Sequence, residues 1–245
     1  MKDKIIEINR YDKRALSFLS KFEKKKKICL TLSAPYKYYF SLFKNLNRNS
    51  KILELGAGFG QNTAKLIKMN YDICATDISQ VSVKVMKKTF KNYKNFSTKV
   101  ADMEQLPFKK QSFDVICSAG SLSYGDNKLV MNEIFRVLKK GGKVIFVDSL
   151  NHNIIYKFNR YINYLKGKRS KSTLKWMPDL ILIEKYFKKF GYGKVKFFGS
   201  ITWCFPILKL FLTSKIIYQF SNWLDKKLKI KKSAFKFVLV LKKKN

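Results

Sequence analysis

Short apolar runs alternate along the chain with segments whose apolar residues recur at helical spacing. Runs of strand length cover residues 52–55, 71–76, 96–100, 113–118 and 143–147. Between these runs, the spacing of apolar positions favours amphipathic helices. Strands that alternate with helices predict an α/β fold, in which a mostly parallel sheet carries helices on both faces.

The last third of the chain predicts two further strands. A helix over 178–190 leads into a strand over 194–199, and a final strand covers 234–241. Between these strands, residues 205–230 are mostly apolar and carry lysines towards their end, which predicts a helical insertion. A chain of 245 residues that is 46% hydrophobic can bury all these elements in one core, so we predict a single domain.

The loop after the first strand carries three alternating glycines. Glu54 stands two places before Gly56, and Gly58 and Gly60 follow. Glycines at this spacing let the backbone turn tightly and let a ligand lie against the main chain. The loop is neither a dinucleotide fingerprint, because position 61 is Gln61, nor a Walker loop, because no Gly-Lys-Ser/Thr follows. A purely structural turn is the alternative.

Acidic residues follow the second and third strands. Asp77 lies 23 residues after Glu54, at the tip of the second strand. A carboxylate in this place can accept both ribose hydroxyls of an adenosine, although Asp also caps helices well. Asp102 follows the third strand, where a solvated turn before Pro107 is the alternative.

These features occur in the order typical of one enzyme family. Glu-x-Gly-x-Gly-x-Gly, Asp77, the segment 101–108, the small residues after the fourth strand and the passage Arg-Val-Leu-Lys-Lys-Gly-Gly resemble the motifs of class I S-adenosylmethionine-dependent methyltransferases. The resemblance covers residues 51–148. It implies a Rossmann-like seven-stranded sheet, mostly parallel with an antiparallel last strand. It also implies S-adenosylmethionine as cofactor and S-adenosylhomocysteine as product.

The resemblance also assigns cofactor-binding residues. Glu54 and the glycine loop are expected to hold the methionyl end and Asp77 the ribose, while Asp102 and the backbone of Met103 meet the adenine. The full predicted set is Glu54, Gly56, Ala57, Gly58, Gly60, Asp77, Ile78, Asp102, Met103, Ser118 and Ala119. Within the predicted domain 1–245, this implies an N-terminal helical cap (1–49), a cofactor-binding core (50–150) and an acceptor region (151–245).

The acceptor is predicted from the segment 149–173. This segment resembles the corresponding region of methyltransferases of bacterial surface-polysaccharide biosynthesis, which implies a sugar, sugar-nucleotide or related phosphorylated acceptor, with O-methylation favoured. The predicted acceptor-binding residues are Tyr39, Tyr156, Arg160 and Arg169. Core packing of Tyr39 and a surface position for the other three are the alternatives.

A candidate base lies just beyond the fifth strand. His152 is the single histidine, at the sheet edge where ligands bind in open α/β folds. A hydroxyl acceptor must lose its proton, which a neutral imidazole can take. Asp148 is predicted to accept the proton or orient the ring, and Tyr124 completes the predicted catalytic set. A histidine that caps a helix or faces water is the alternative.

The chain is strongly basic. Its formal net charge is +36, from 52 Lys and Arg against 16 Asp and Glu. The lysines are spread along the chain among many Asn, Ile, Tyr and Phe residues, a mixture that biased codon usage would produce. Such a field favours anionic partners in general, so a small anion, an acidic membrane and RNA all fit the charge.

The loop after the fourth strand bears on which kind of acceptor is methylated. The loop 118–124 lacks the Asn/Asp-Pro-Pro-Tyr sequence of base-modifying enzymes, so a small-molecule acceptor is favoured over nucleic acid. RNA methylation and non-catalytic cofactor binding remain alternative functions. Contact of 205–230 with an anionic membrane, and oligomer formation, are left open.

Cysteine and histidine usage bears on compartment and metal content. Four cysteines form no CxxC pair, a pattern that suits a reducing compartment. The N-terminus has no secretory apolar region, and the chain has no uninterrupted apolar run of about 18 residues. We therefore predict a cytoplasmic protein. One histidine without a Cys/His cluster predicts no metal site.

Overall fold

The computed structural model of the chain describes residues 2–20, 30–228 and 230–244. Its helices are α1 (Lys2–Ser20), α2 (Leu30–Ser41), α3 (Thr63–Ile67), α4 (Gln80–Thr89), α5 (Asn127–Val137), α6 (Ile154–Leu165), α7 (Lys171–Lys175), α8 (Leu180–Phe190), α9 (Phe205–Leu208) and α10 (Ser214–Leu228). Its strands are β1 (Lys51–Leu55), β2 (Asp72–Asp77), β3 (Phe96–Val100), β4 (Phe113–Ala119), β5 (Leu138–Ser149), β6 (Gly191–Phe198) and β7 (Lys236–Lys243). Short 3-10 turns cover Leu42–Asn45, Leu122–Tyr124 and Thr202–Cys204.

Within these described ranges, seven strands form one sheet in the order β3-β2-β1-β4-β5-β7-β6. Strands β1 to β5 pair in parallel, whereas β7 runs antiparallel to both β5 and β6. This confirms the predicted Rossmann-like sheet with its antiparallel last strand. The strand order reverses between β1 and β4, and ligands of open α/β sheets bind in the crevice outside such a reversal.

Helices cover both faces of the sheet because its strands are apolar on both sides. Side chains alternate along a strand, so Leu53 and Leu55 of β1 join one core and Ile52 joins the other. The first core receives α5 and α8, through residues such as Ile134. The second receives α2, α3 and α4, through residues such as Leu66. Helices on both faces are thereby confirmed.

The element boundaries of the last third differ slightly from the predicted ones. Helix α8 begins at Leu180 because the carboxylate of Asp179 accepts a hydrogen bond from the backbone N–H of Leu182 at 2.8 Å. Strand β6 begins three residues before the predicted strand, at Gly191. Both predicted strands nevertheless exist, as β6 and β7.

Strand β5 begins with an irregular segment that contains two glycines. The paired glycines after α5 do not cap the helix, because the helix ends at Val137 and Leu138 is already extended. Leu138 pairs with Phe113 of β4, and the register then shifts. Gly141, with a φ of 69°, lies within this irregular part of β5. The glycine therefore serves a bend in the strand and not the helix end.

The predicted cap contains helices α1 and α2, and the predicted insertion contains α9 and α10, which are joined by a turn over 209–213. Residues 21–29 of the predicted cap 1–49 lie outside the described residues. The functional division of the chain into cap, core and acceptor region stays a prediction. Across the described ranges, no helix combines the length and the apolar character that crossing a bilayer requires.

Helix α10 and the turn that precedes it leave large apolar side chains at the surface. Leu210, Phe211 and Trp223 are 77%, 79% and 54% exposed. On the opposite side of α10, Ile217 and Ser221 are buried, and the helix contacts α2 and β6. Contact of this surface with an anionic membrane or with a second copy of the chain stays a prediction.

Asp225 attaches α10 to the end of β6. Its carboxylate accepts hydrogen bonds from the backbone N–H of Gly199 at 2.6 Å and of Ser200 at 3.0 Å. It also accepts one from the Ser200 hydroxyl at 2.6 Å. The turn that leaves the sheet therefore depends on one side chain of the insertion.

We expect Asp225→Ala to lower the free energy of unfolding by about 2 kcal/mol, since hydrogen bonds to a charged group contribute on that order. Urea unfolding measures the loss. Lys227→Ala, at an exposed position of the same helix, is the matched control and should leave stability unchanged. Equal stability of the two variants would contradict the role of Asp225.

Candidate functional site

The glycine loop lies at the carboxyl end of β1, beside the reversal in strand order. Gly56, Gly58 and Gly60 have φ values of 59°, 58° and 89°, which side chains other than glycine rarely adopt. A Cβ added to Gly56 would lie 2.4 Å from Cβ of Ser121, and one added to Gly60 would lie 2.5 Å from the Phe90 ring. A Cβ added to Gly58 would meet nothing within 4 Å. Only at Gly58, among these three, does the absent side chain leave open space for a ligand.

The tip of β2 holds this loop in place. The backbone N–H of Ala57 donates to the Thr76 carbonyl at 2.9 Å, and that of Gly58 donates to Asp77 Oδ2 at 2.8 Å. Thr76 Oγ1 donates back to the Glu54 carbonyl at 3.0 Å. The loop and the acidic strand end therefore form one hydrogen-bonded unit.

Asp77 does not cap α4. The N-cap is Ser79, whose side chain accepts from Ser82, while Asp77 Oδ1 accepts from the Ser79 N–H at 2.9 Å. Burial raises the pKa of Asp77, and the backbone donors at Ser79, Gly58 and Ile78 act in the opposite direction. Beyond the hydrogen bonds from Gly58 and Ser79, the Asp77 carboxylate has free lone pairs, so it can still accept hydrogen bonds from hydroxyl groups.

Glu54 lies beneath the loop and is 2% exposed. Its Oε2 accepts a hydrogen bond from Thr63 Oγ1 at 2.6 Å. Burial raises the pKa of Glu54 to about 7, Thr63 lowers it, and the charge of Asp77 raises it further. A cation bound in the loop would favour the ionised form of this carboxyl.

On the other side of the crevice, Asp102 follows β3. Its Oδ1 accepts from the backbone N–H of Glu104 at 3.0 Å, and its Oδ2 lies 2.6 Å from Nζ of Lys4. Lys4 also pairs with Glu104 at 2.7 Å. The Met103 side chain reaches the glycine loop, since its Cε lies 3.6 Å from the Cβ position of Gly56. The structure thus brings Asp102 and Met103 together with the loop.

Helix α1 covers this edge of the sheet. Besides Lys4, its Asp12 carboxylate accepts a short hydrogen bond from the Ser79 hydroxyl. Glu7 Oε1 accepts from Ser170 Oγ at 2.8 Å, before α7. These contacts join α1 to the loops on both sides of the crevice. The sequence interpretation placed a cap here but did not identify these polar contacts, because α1 carries no recognisable motif.

Tyr124 belongs to the contact between this helix and the loop after β4. Its hydroxyl lies 2.9 Å from the Tyr11 hydroxyl and accepts from Arg10 Nη2 at 3.3 Å. The rings of Tyr11 and Tyr124 meet edge to face, with centroids 5.4 Å apart. A catalytic role for Tyr124 stays a prediction, and in this structure its hydroxyl binds the cap.

The end of β4 is formed by small residues. Ser118 Oγ lies 2.5 Å from Ser121 Oγ, which donates to the Leu55 carbonyl at 3.1 Å. The backbone N–H of Gly120 donates to the Val147 carbonyl at 2.9 Å. Ser118 therefore stabilises the strand ends beside the glycine loop, and Ala119, which is half-buried, leads into the turn.

Asp148 connects the end of β5 to the same turn. Its Oδ2 accepts from the Leu122 N–H at 2.9 Å, and its Oδ1 accepts from the Ser149 N–H at 2.6 Å. Burial raises the pKa of Asp148, while Lys236 lowers it. Among the described residues no hydrogen bond joins Asp148 to the half-buried His152, so the predicted orientation of that ring by Asp148 is not seen. His152 as a base stays a prediction.

The acceptor prediction at Tyr39 needs correction. Tyr39 has no exposed surface, and its ring packs against Phe40 and Phe43 at centroid distances of 5.0 and 5.1 Å. One helical turn earlier in α2, Tyr36 reaches the site instead, with its hydroxyl 3.8 Å from the Cβ position of Gly120. Apolar aromatics on one helix look alike in sequence, so only packing distinguishes them.

Tyr156 and Arg160 are also placed differently from the prediction. Arg160 is 6% exposed, and its Nη1 donates to the Leu150 carbonyl at 2.9 Å and to Asn151 Oδ1 at 2.7 Å. The Tyr156 ring packs against Phe235 at 5.0 Å. Both side chains join α6 to neighbouring strand ends, so their polar groups are used within the fold. Arg169 is half-buried, and its acceptor role stays a prediction.

Lys236 is a residue of this edge that the sequence interpretation missed. It begins β7, is 7% exposed, and its Nζ lies 3.3 Å from Ser149 Oγ. The available signal was a charged residue inside the apolar run 234–241. A lysine at a strand end normally extends to solvent, so this signal alone does not predict burial.

Comparison with known proteins places the chain among methyltransferases. A family model described as "Methyltransferase domain" matches residues 53–146. The demethylmenaquinone methyltransferase of Lactococcus lactis subsp. lactis is 30% identical over 173 residues, which cover 60% of this chain and 67% of that protein. The ubiquinone/menaquinone biosynthesis C-methyltransferase UbiE of Wigglesworthia glossinidia brevipalpis is 37% identical over 109 residues, 42% of this chain. That match spans 44% of the Wigglesworthia protein, less than half of its length.

A solved structure shares the fold. Phosphoethanolamine N-methyltransferase 2 of Haemonchus contortus, in complex with phosphomonomethylethanolamine and S-adenosylhomocysteine, superimposes with a TM-score of 0.64. The match covers 96% of this chain and 58% of that chain, at 18% identity. At this identity the likeness concerns the fold, and it confirms the predicted methyltransferase architecture.

The raised pKa of Glu54 predicts a pH-dependent stability. Below pH 4.5 the carboxyl is neutral in both states, and between pH 4.5 and about 7 the unfolded chain loses the proton that the folded chain keeps. Stability contributed by this group therefore falls as pH rises through that window, by roughly 3 kcal/mol in all. We expect Glu54→Gln to lack this fall, measured by urea unfolding across the window. Glu184→Gln, at an exposed position, should follow the parent curve, and parallel curves for all three proteins would contradict the assignment.

The internal role of Arg160 predicts a stability defect. Arg160→Ala removes the donor to two oxygens at the end of β5 and should lower the free energy of unfolding by about 2–4 kcal/mol. Lys157→Ala, exposed on the same helix, is the control for lost charge. A thermal melt that shifts equally in both variants would show that Arg160 has no special structural role.

Proposed function

The chain belongs to the class I S-adenosylmethionine-dependent methyltransferase family, and on this premise we propose that it transfers a methyl group from S-adenosylmethionine to a small anionic acceptor. The observation that carries the proposal is the open space beside Gly58, bounded by the carboxylate of Asp77. The left-handed backbone accounts for the glycine at this position, and the open space next to it, at the carboxyl end of β1, lets a ligand lie directly against the main chain.

The residues around the loop fit the chemistry of this cofactor. Gly58 and its neighbours Gly56, Ala57 and Gly60 would hold the methionyl portion. Burial raises the pKa of Glu54, and the positive charge of the bound cofactor would stabilise its ionised form. Across the crevice, Asp77 with Ile78 would meet the ribose hydroxyls, while Asp102 and Met103 would meet the adenine. Ser118 and Ala119 would line the methyl-donating end.

When bound, the cofactor would supply a methyl group on a sulfonium, and the acceptor would bond to that carbon in line as the C–S bond breaks and S-adenosylhomocysteine leaves. The chain's own contribution is alignment and exclusion of water. Helix α1 would shield the bound cofactor from water, because Lys4 forms salt bridges to the loop after β3 and Tyr11 packs on Tyr124. The acceptor would approach from the ends of β4 and β5, where the backbone at Gly120 is bare and Tyr36 and Asp148 lie.

The acceptor class is supported by charge more than by the motif of 149–173. Tyr156 and Arg160 of that motif pack internally, so they lend the sugar-derived acceptor and the polysaccharide context no support. Both stay predictions, as do O-methylation with His152 as base and a cytoplasmic location. By their names, the relatives act on quinones and on phosphoethanolamine, which are small molecules.

The cofactor site is tested by two glycine substitutions of matched strain. Gly58→Ala places a methyl group in the proposed ligand space. Gly167→Ala is the control, because Gly167 is also left-handed and has nothing within 4 Å of its Cβ position, but lies outside the proposed site. Each should lose about 1–2 kcal/mol of stability from backbone strain. Calorimetric titration with S-adenosylhomocysteine should show at least about tenfold weaker binding for Gly58→Ala alone, which corresponds to about 1.4 kcal/mol. Equal affinities would remove the support for this site.

The reaction itself is tested by release of S-adenosylhomocysteine from the full chain. Phosphorylated metabolites, nucleotide sugars, neutral quinones and RNA are offered as separate acceptor groups. Turnover with an anionic small molecule supports the proposal, whereas turnover confined to RNA would favour the alternative function. Cofactor binding without turnover in any group would favour a non-catalytic binding protein.

A further inference from the structure

Lys236 is a buried cation with few partners. It is 7% exposed, and its Nζ has one hydrogen-bond acceptor among the described residues, Ser149 Oγ at 3.3 Å. No carboxylate of the described residues lies within 4.0 Å of it, although an ammonium carries three donors. A buried charge without a partner is costly unless a ligand completes its shell.

The surroundings of Lys236 carry an excess of positive charge. Burial lowers its pKa most strongly, Asp148 raises it, and Arg160 and Arg169 lower it further. The pKa of Arg160 is also lowered, to about 10, by burial and by the charge of Arg169. Lys236 and Arg160 therefore share the charge of Asp148, whose carboxylate already accepts two backbone N–H bonds, while Arg169 adds a further positive charge. An anion bound here would offset this imbalance.

Lys236 stands beside the edge where methyl transfer is proposed. It pairs in register with Ser149, the last residue of β5. Its Nζ lies 5.4 Å from the centre of the Tyr36 ring, and the Tyr36 hydroxyl lies 3.8 Å from the Cβ position of Gly120. Tyr36 thus spans the distance between the buried cation and the bare backbone after β4.

We propose that Lys236 and Tyr36, with the Ser149 hydroxyl, form a subsite for a phosphoryl group of the acceptor. The donors belong to β7, α2 and β5 and so come from three different elements, an arrangement that suits the several oxygens of a tetrahedral phosphate better than a planar carboxylate. As the acceptor's subsite it rests on the proposed function, whereas its affinity for phosphate can be measured separately.

The experiment uses inorganic phosphate as the probe and the full chain saturated with S-adenosylhomocysteine. At about 0.15 M salt, loosely held surface ions are largely screened, so calorimetry should report one saturable site. Lys236→Met should weaken phosphate binding about ten- to a hundredfold, since it removes a charge-assisted hydrogen bond, and should leave the affinity for S-adenosylhomocysteine unchanged. Lys232→Met, at an exposed position of the preceding turn, is the matched control and should bind phosphate as the parent does.

Several outcomes would overturn the subsite. These are no phosphate binding to the loaded parent, equal binding by Lys236→Met, or acetate binding as tightly as phosphate. If Lys236→Met fails to fold, Tyr36→Phe is the deciding variant, with severalfold weaker phosphate binding expected and unchanged binding contradicting the subsite. If the parent does not bind S-adenosylhomocysteine, the proposed function fails, and the same titrations on unloaded protein still decide the subsite.

Discussion

The architecture of the site depends on the attachment of the glycine loop to the tip of β2. Two backbone N–H groups of the loop, from Ala57 and Gly58, bind the Thr76 carbonyl and the Asp77 carboxylate. This attachment requires left-handed backbone at the glycines, and it turns the one open glycine toward the crevice. Because β1 and β2 are adjacent parallel strands, the sheet itself keeps both partners in register.

Buried ionisable groups at this edge of the sheet have shifted pKa values. At the glycine loop, Glu54 and Asp77 are buried, and burial raises the pKa values of both carboxyl groups. Around the end of β5, Lys236 and Arg160 are buried, and burial lowers the pKa values of both groups. These buried acids and buried bases therefore lie in different parts of this edge, and in both places burial favours the neutral form. The diffuse positive charge of the whole chain does not create this pattern.

Sequence and structure agree best where a residue's role is set by its neighbours along the chain. The order of strands, the glycine spacing and the acidic strand end at Asp77 were all readable because backbone geometry demands those residue types locally. The sequence predictions disagree with the structure where the role of a residue depends on which face of its helix packs against the sheet. Tyr39 and Tyr36 lie three residues apart, and Arg160 lies on a helix whose other face is exposed, so no local rule decides which side chain meets the crevice. Lys236 escaped notice because its partner Ser149 is distant in sequence.

The sequence by itself determined the α/β class, the parallel central strands and the tight glycine loop after β1, because hydrophobic periodicity and glycine stereochemistry act over short distances. The tertiary structure alone decided which polar groups are spent inside the fold and which remain for a ligand. That distinction turns on burial and on hydrogen bonds between distant segments. Thus Arg160 donates hydrogen bonds to the residues that follow β5, whereas the Lys236 ammonium donates one hydrogen bond among the described residues and can donate more.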